Sequence, residues 1–197
     1  MTDHRHIIPF IMLWEEGVKT SLYNQMPWQD YYAKCKEKGL HIIPDDAGGP
    51  TVCGVTLGTY KDYKKRKGLP VPTSEDLVQI GAEEWMDLFK TMFWDKCNAG
   101  KMLSQAVADF IVDWFWTSGV YALKKVQRVV GVTQDGIIGN ISLGAINAFC
   151  SDNWRTFLDR LKDERIDYYK AIVRRKSSQR KFLNGWINRT NACVKWR

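Results

Sequence analysis

Two stretches carry the residue types that acid–base chemistry on a glycosidic bond requires. "LWEEGVK" (13–19) places Glu15 and Glu16 directly after a strongly apolar run that includes Ile11 and Trp14. "PDDAGGPTVCGVT" (44–56) places Asp45 and Asp46 in a glycine-rich turn, followed by the hydroxyls of Thr51 and Thr56. Cleaving such a bond needs a proton for the leaving oxygen, and a carboxyl group keeps that proton near neutral pH only where solvation is poor. It also needs a carboxylate, or a water held by one, beside the sugar carbon that becomes positive. Glu15 is the candidate acid, Asp46 or Asp45 the candidate second carboxylate, and Thr51 and Thr56 candidates to orient the water. Each also has a plain reading: an acid beside glycine can be a solvated helix end, and "DDAGGPT" alone is a turn.

The elements that must hold these residues are mostly helical. With about 3.6 residues per turn and Ile7 at zero degrees, Ile11 and Trp14 fall within about 40° of it on a helix over 5–16. Glu15 falls near ~80°, at the border of the apolar stripe, and Glu16 near ~180°, facing water. A helix over 28–38 ends at Gly39. Pro44, Gly48, Gly49, Pro50 and Gly54 then break the pattern and predict a small hairpin or irregular loop over 41–60. Further helices are expected over 57–67, after a Thr73 N-cap with Asp76 three places on, and over 82–96. "NAGK" (98–101) reads as a boundary. Residues 103–117 are apolar almost all round and predict a central buried helix. Helices over 120–130, 142–150, 153–175 and 178–192 complete the chain, with Asn140 or Ser142 as the N-cap after "TQDGIIGN" (133–140). The expected class is mainly α with one small β element, in two parts: residues 1–100 and 101–197.

Composition narrows the partners. The 197 residues carry a net charge of +7 and nine Trp, which favours an anionic partner such as nucleic acid, an acidic membrane surface or bacterial cell wall. The densest basic runs, "KDYKKRKG" (61–68) and "RRKSSQRK" (174–181), do not interleave aromatics and base-reading groups as nucleic-acid motifs do. Five scattered cysteines without a CxxC pair predict buried free thiols rather than disulfides or a zinc site, and no metal is expected. No apolar run reaches about 18 residues, so no membrane insertion is expected. The N-terminus lacks the features of a signal peptide, which predicts synthesis in the cytoplasm and export by another route.

"LWEEGVK" followed by "DDAGGPTVCGVT" resembles the N-terminal part of glycoside hydrolase family 108, N-acetylmuramidases of lysozyme-like fold. That family carries acid-Gly-Gly at the end of its first helix, then D-x-GG-x-T-x-x-GIT, met here by Asp46, Gly48, Gly49, Thr51, Gly54, Val55 and Thr56. "FWDKC" (93–97) falls where these proteins carry a Tyr-Trp pair. "ADFIVDWFWTSG" (108–119), "KKVQRVVGVTQDGIIGNISLGAIN" (124–147), "LKDERIDYY" (161–169) and "FLNGWINR" (182–189) resemble the peptidoglycan-binding domain that accompanies it. Two departures stand out: Glu16 replaces the first Gly after the acid, and Thr117 stands where the partner domain commonly has Asn. The stretch between Gly17 and Asp45 is also long, enough for a cleft wall, a lid or an interaction surface.

The resemblance implies a lysozyme-like helical domain followed by a packed helical half. It implies cleavage of the β-1,4 bond between N-acetylmuramic acid and N-acetylglucosamine, without a cofactor. Glu15 would act as general acid, with Asp46 and Thr51 at the attacking water and Asp45, Gly48, Gly49 and Thr56 lining the substrate. The expected partner is the peptidoglycan strand, met by a monomer in the periplasm or cell envelope. The alternative it leaves open is a cell-wall-binding or secretion-activator protein that keeps the fold without turnover. Trp114, Trp116 and Trp186 are each candidates for core packing or for stacking on sugars.

Overall fold

The computed structural model describes residues 1–41 and 50–196, without the side chains of Leu40 and His41. Its contacts divide the chain into two compact units, Ile8–Met92 and a second made of Met1–Ile7 with Phe93–Arg197. The first seven residues, counted by sequence with the N-terminal part, therefore belong to the C-terminal unit.

In the unit Ile8–Met92, helix α1 (Ile8–Glu16) is buried at five successive positions from Ile8 to Met12. Gly17, at φ +65°, donates its N–H to the Leu13 carbonyl and ends the helix. Helix α2 (Trp28–Gly39) buries Tyr31, Tyr32 and Cys35 and packs on α1 and α5. The long stretch after Gly17 thus supplies a core helix. A three-stranded antiparallel sheet follows, with β1 (Leu40–His41), β2 (Thr51–Val52) and β3 (Val55–Thr56) in that order. Cys53 and Gly54 make the two-residue turn between β2 and β3, both at positive φ, as the twist of a tight hairpin demands.

Helix α3 (Leu57–Arg66) starts from a Thr56 cap, and α4 (Ser74–Val78) from the capping box of Thr73 and Asp76 that the spacing predicted. Helix α5 (Ala82–Phe89) runs into a π-helical turn over Lys90–Trp94, so the predicted helix to residue 96 loses α geometry at residue 90. Trp85 stacks on Phe89 and meets Trp28 and Tyr32, an aromatic core that binds α2 to α5.

In the other unit, α6 (Gln105–Ser118) is capped by Ser104 and buries every residue from Val107 to Trp114. Helices α7 (Val120–Val130), α8 (Asn140–Arg175) and α9 (Arg180–Lys195) pack around it. The two helices expected over 142–150 and 153–175 form one element broken at Asn153, whose non-helical backbone lets Oδ1 accept the N–H groups of Arg155 and Thr156. Gly139, not Asn140 or Ser142, caps α8. The Ser142 hydroxyl turns inward to accept a hydrogen bond from Gln127 instead.

The core of this unit is partly ionic. Asp113, fully buried, accepts from Arg165 Nη1 at 2.8 Å and from Arg189 Nε and Nη2 at 3.1 and 2.8 Å. Arg165 also donates to Tyr169 and to Thr117, so the Thr117 hydroxyl enters the same network. Trp114 is fully buried beneath it, Trp116 packs on Phe93, and Trp186 lies between Tyr169 and Phe182. All five cysteines are free and buried. No helix among the described residues is long and apolar enough to cross a membrane. The architecture is mainly α and lysozyme-like.

Candidate active site at the end of helix α1

The end of α1 distributes its two acids differently from the helical wheel. Glu16 is buried, with 9% of its surface exposed, and Glu15 is half-buried. Leu13 is 39% exposed, so the helix shows solvent a face that the wheel assigned to neither acid. The expectation that Glu16 faces water is therefore corrected. Residues His4–Ile7 form a 3₁₀ turn, with about 3.0 residues per turn, so an even 3.6-residue phase counted from Ile7 is misplaced. Tertiary packing adds the larger cause, because α1 is covered on nearly all sides before it reaches Glu16.

Gly39, the last residue of α2, makes the niche that receives the Glu16 carboxyl. A Cβ built on Gly39 would lie 2.4 Å from Glu16 Cδ and 2.5 and 2.7 Å from its two oxygens. Real Cβ atoms do not tolerate such distances, so any other residue at 39 displaces the acid. The Gly39 carbonyl also accepts the Cys53 N–H at 2.9 Å, which fastens the hairpin turn to the same point. The Cys53 carbonyl in turn accepts from Trp85 Nε1 at 3.3 Å, fixing the turn to the aromatic core.

Two buried thiols register the acid's charge. Burial first, and the Glu16 carboxylate second, push the Cys35 thiol up to about 12. The Cys53 thiol is raised by the same two causes in the same order. One carboxylate thus acts on both α2 and the β2–β3 turn. The sequence marked Gly39 only as a helix stop and Cys53 only as a free thiol. Neither carried a local signal of its position beside the acid, because the juxtaposition joins three separate elements.

Of the other predicted site residues, Thr51 and Thr56 are opposite each other in the β2–β3 register and share one face of the sheet. Val52 and Val55 take the other face and are buried. Thr51 is half-buried. Thr56 is exposed, and its hydroxyl accepts the Thr59 N–H at 3.3 Å as the cap of α3. Asp45, Asp46, Gly48 and Gly49 lie outside the described residues.

The other motif singled out by sequence is architectural. The side-chain amide of Gln127, on α7, donates to Asp135 at 2.7 Å and to the Ile137 carbonyl at 3.0 Å, and its oxygen accepts the Gly136 N–H at 2.8 Å. A Cβ on Gly136 would meet Val120 at 2.3 Å, so "DGIIG" closes on a buried glutamine and admits no side chain at its second position. Gln127 is a structural residue the sequence did not single out.

Comparison with known proteins adds an independent line. Residues 32–119 match the family described as Glycosyl hydrolase 108, and residues 121–191 match the family described as Predicted Peptidoglycan domain. No curated protein sequence matches the chain. Among solved structures, that of Brucella abortus SagA is similar, with a TM-score of 0.64 and 25% identity over 80% of this chain and 84% of that one. The chain thus carries, in this order, a segment similar to glycosyl hydrolase 108 and a segment similar to a predicted peptidoglycan domain, and its fold is similar to that of a solved structure over most of both chains.

Proposed function

We propose that the protein is an N-acetylmuramidase that cleaves the β-1,4 bond between N-acetylmuramic acid and N-acetylglucosamine in peptidoglycan. A carboxyl at the end of α1 donates the proton. The observation that carries this reading is the burial of the Glu16 carboxyl against Gly39, at the point where α1, α2 and the β2–β3 turn meet. General acid catalysis needs a carboxyl held in one place beside the bond it protonates, and the Gly39 niche holds this one. Glu16 is also the last residue of α1 and precedes Gly17, which fits an acid-Gly step at the end of the first helix. Glu15, the acid that the sequence resemblance favoured, is the alternative donor on the same helix end. Asp46 or Asp45, with Thr51, would serve the attacking water, and Gly48, Gly49 and Thr56 would line the strand. The protein would act as a monomer at the cell envelope after synthesis in the cytoplasm.

Clearing of purified peptidoglycan by wild type, Glu15→Gln and Glu16→Gln tests this. Loss of a general acid slows turnover by about 10²- to 10⁴-fold, and that loss is expected for Glu16→Gln with Glu15→Gln close to wild type. The reverse result moves the proton to Glu15. Undiminished clearing by both variants removes α1 from the mechanism. Wall binding without clearing by wild type would leave the non-catalytic wall-binding reading. Analysis of the new reducing ends identifies the bond, since a muramidase exposes N-acetylmuramic acid.

A further inference from the structure

The peptidoglycan reading leaves open where the polymer is gripped, and the charge distribution supplies a location. From Tyr168 to Arg197 the chain carries nine Lys and Arg and no Asp or Glu. Arg189 is committed to Asp113. The turn between α8 and α9, a 3₁₀ segment over Ser177–Gln179, gathers Arg174, Arg175, Lys176, Arg180 and Lys181, all exposed. Among the described residues none of these five forms an ion pair, the last acid before them being Asp167, paired with Lys170. The other basic run differs. On and just after α3, Lys64 pairs with Glu84 at 2.5 Å and Lys67 with Asp87 at 2.7 Å, so acids of α5 neutralise part of it. Of the two runs, the one at the α8–α9 turn keeps its field for an anion.

An aromatic step lies within the same cluster. Phe182 is 45% exposed and stacks on Trp186 at 5.9 Å between centroids, and Trp186 meets Tyr169 at 5.0 Å. The Lys181 ammonium lies 5.0 Å from the centre of the Phe182 ring. A flat ring beside cations suits a polymer that alternates sugar faces with carboxylates, since the sugar's C–H face packs on the ring while guanidiniums take the carboxylates. The surface also lies within the segment 121–191 that matches a predicted peptidoglycan domain.

We propose that the α8–α9 turn is the surface by which this protein holds peptidoglycan, Phe182 lying against a sugar ring and Arg174, Arg175 and Arg180 on free carboxylates of the wall. The proposal rests on the peptidoglycan reading but not on turnover. Its test is co-sedimentation of the full chain with purified insoluble peptidoglycan, using Glu15→Gln/Glu16→Gln as the parent so that digestion does not interfere. Phe182→Ala and the triple variant Arg174→Gln/Arg175→Gln/Arg180→Gln are compared with Lys61→Gln/Lys65→Gln/Arg66→Gln, which removes the same charge from α3. Circular dichroism confirms that each variant folds, as expected for exposed positions.

The half-saturating concentration should rise about tenfold in the turn triple and at most about twofold in the α3 control, with a weaker salt dependence left in the former. Phe182→Ala should weaken binding while leaving the salt dependence in place. Equal losses in the two triples would reduce the effect to net charge and overturn the proposal, as would binding by the turn variants equal to the parent. Unchanged wall binding with lost retention on phosphatidylglycerol vesicles or on DNA would assign the surface to those partners instead. Failure of the parent to bind any peptidoglycan would sink the peptidoglycan reading itself.

Discussion

At the scale of single residues, the site depends on an absence: the hydrogen that Gly39 carries in place of a side chain. Gly39→Ala puts a methyl carbon where the Glu16 carboxyl now lies, 2.4 Å from its carbon. The acid must swing out or the helix end must shift, and because the crowded atoms are the end of a flexible side chain the effect falls on the position of the carboxyl more than on the fold. Clearing of peptidoglycan should fall at least about tenfold, if a misplaced catalytic group costs what small displacements usually do. Thermal melting measured alongside separates loss of position from loss of fold, and a variant that melts lower but clears at the wild-type rate would remove the niche from the mechanism.

His6 gives a prediction that pH can read. Its Nδ1 lies 2.6 Å from the Asp109 carboxylate, and this hydrogen bond, opposed by burial, raises its pKa from the ordinary 6.5. A raised pKa stabilises the protonated folded form. The contribution is complete below about pH 6.5 and fades as pH climbs through the higher folded-state value. The stability gap between wild type and His6→Asn should therefore be larger at pH 6 than at pH 9. A gap that is flat or widens with pH contradicts the assignment.

At the scale of elements, local chemistry and tertiary demand agree at some ends and not at others. Thr73 accepts the Asp76 N–H at 3.2 Å, and Asp76 Oδ2 accepts the Thr73 N–H at 2.8 Å, a reciprocal cap formed entirely from neighbours. Thr73→Ala should destabilise the protein by about 1 kcal/mol, seen as a lower urea midpoint with an unchanged slope. The α8 start obeys a different constraint. Its hydroxyl and amide candidates yield to Gly139 because Ser142 is needed inside by Gln127. The break at Asn153 is a cap within a longer helix, which is why the sequence reads as two helices there.

For the whole molecule, the ion cluster at Asp113 ties α6, α8 and α9 together. Burial alone would raise the Asp113 carboxyl, but the Arg189 and Arg165 guanidiniums overcome that and hold it below its ordinary 3.8. A depressed carboxylate contributes stability that is present at neutral pH and lost only as pH falls through the folded-state value, well into acid. Asp113→Asn leaves Arg165, with no exposed surface, beside an amide. Breaking a buried pair in this way costs about 3–5 kcal/mol, and urea unfolding at neutral pH should show a loss of that size. A loss under about 1 kcal/mol would mean that water or repacking replaces the missing charge.

The sequence determined most of the helices, the Thr73–Asp76 capping box, a break for a small hairpin or loop within 41–60, the buried thiols and the family motifs, because those depend on periodicity and on residues a few places apart. It read "DGIIG" as a turn and 103–117 as the buried centre for the same reason. Tertiary structure alone decided which acid of α1 is enclosed. Glu16 is buried because α2 ends in a glycine beside it and the β2–β3 turn hydrogen-bonds to that glycine, a meeting of residues 16, 39 and 53 that no local pattern encodes. The same holds for the attachment of Met1–Ile7 to the C-terminal unit and for Asp113 between two arginines, since burial of a charge is settled by partners brought from far along the chain.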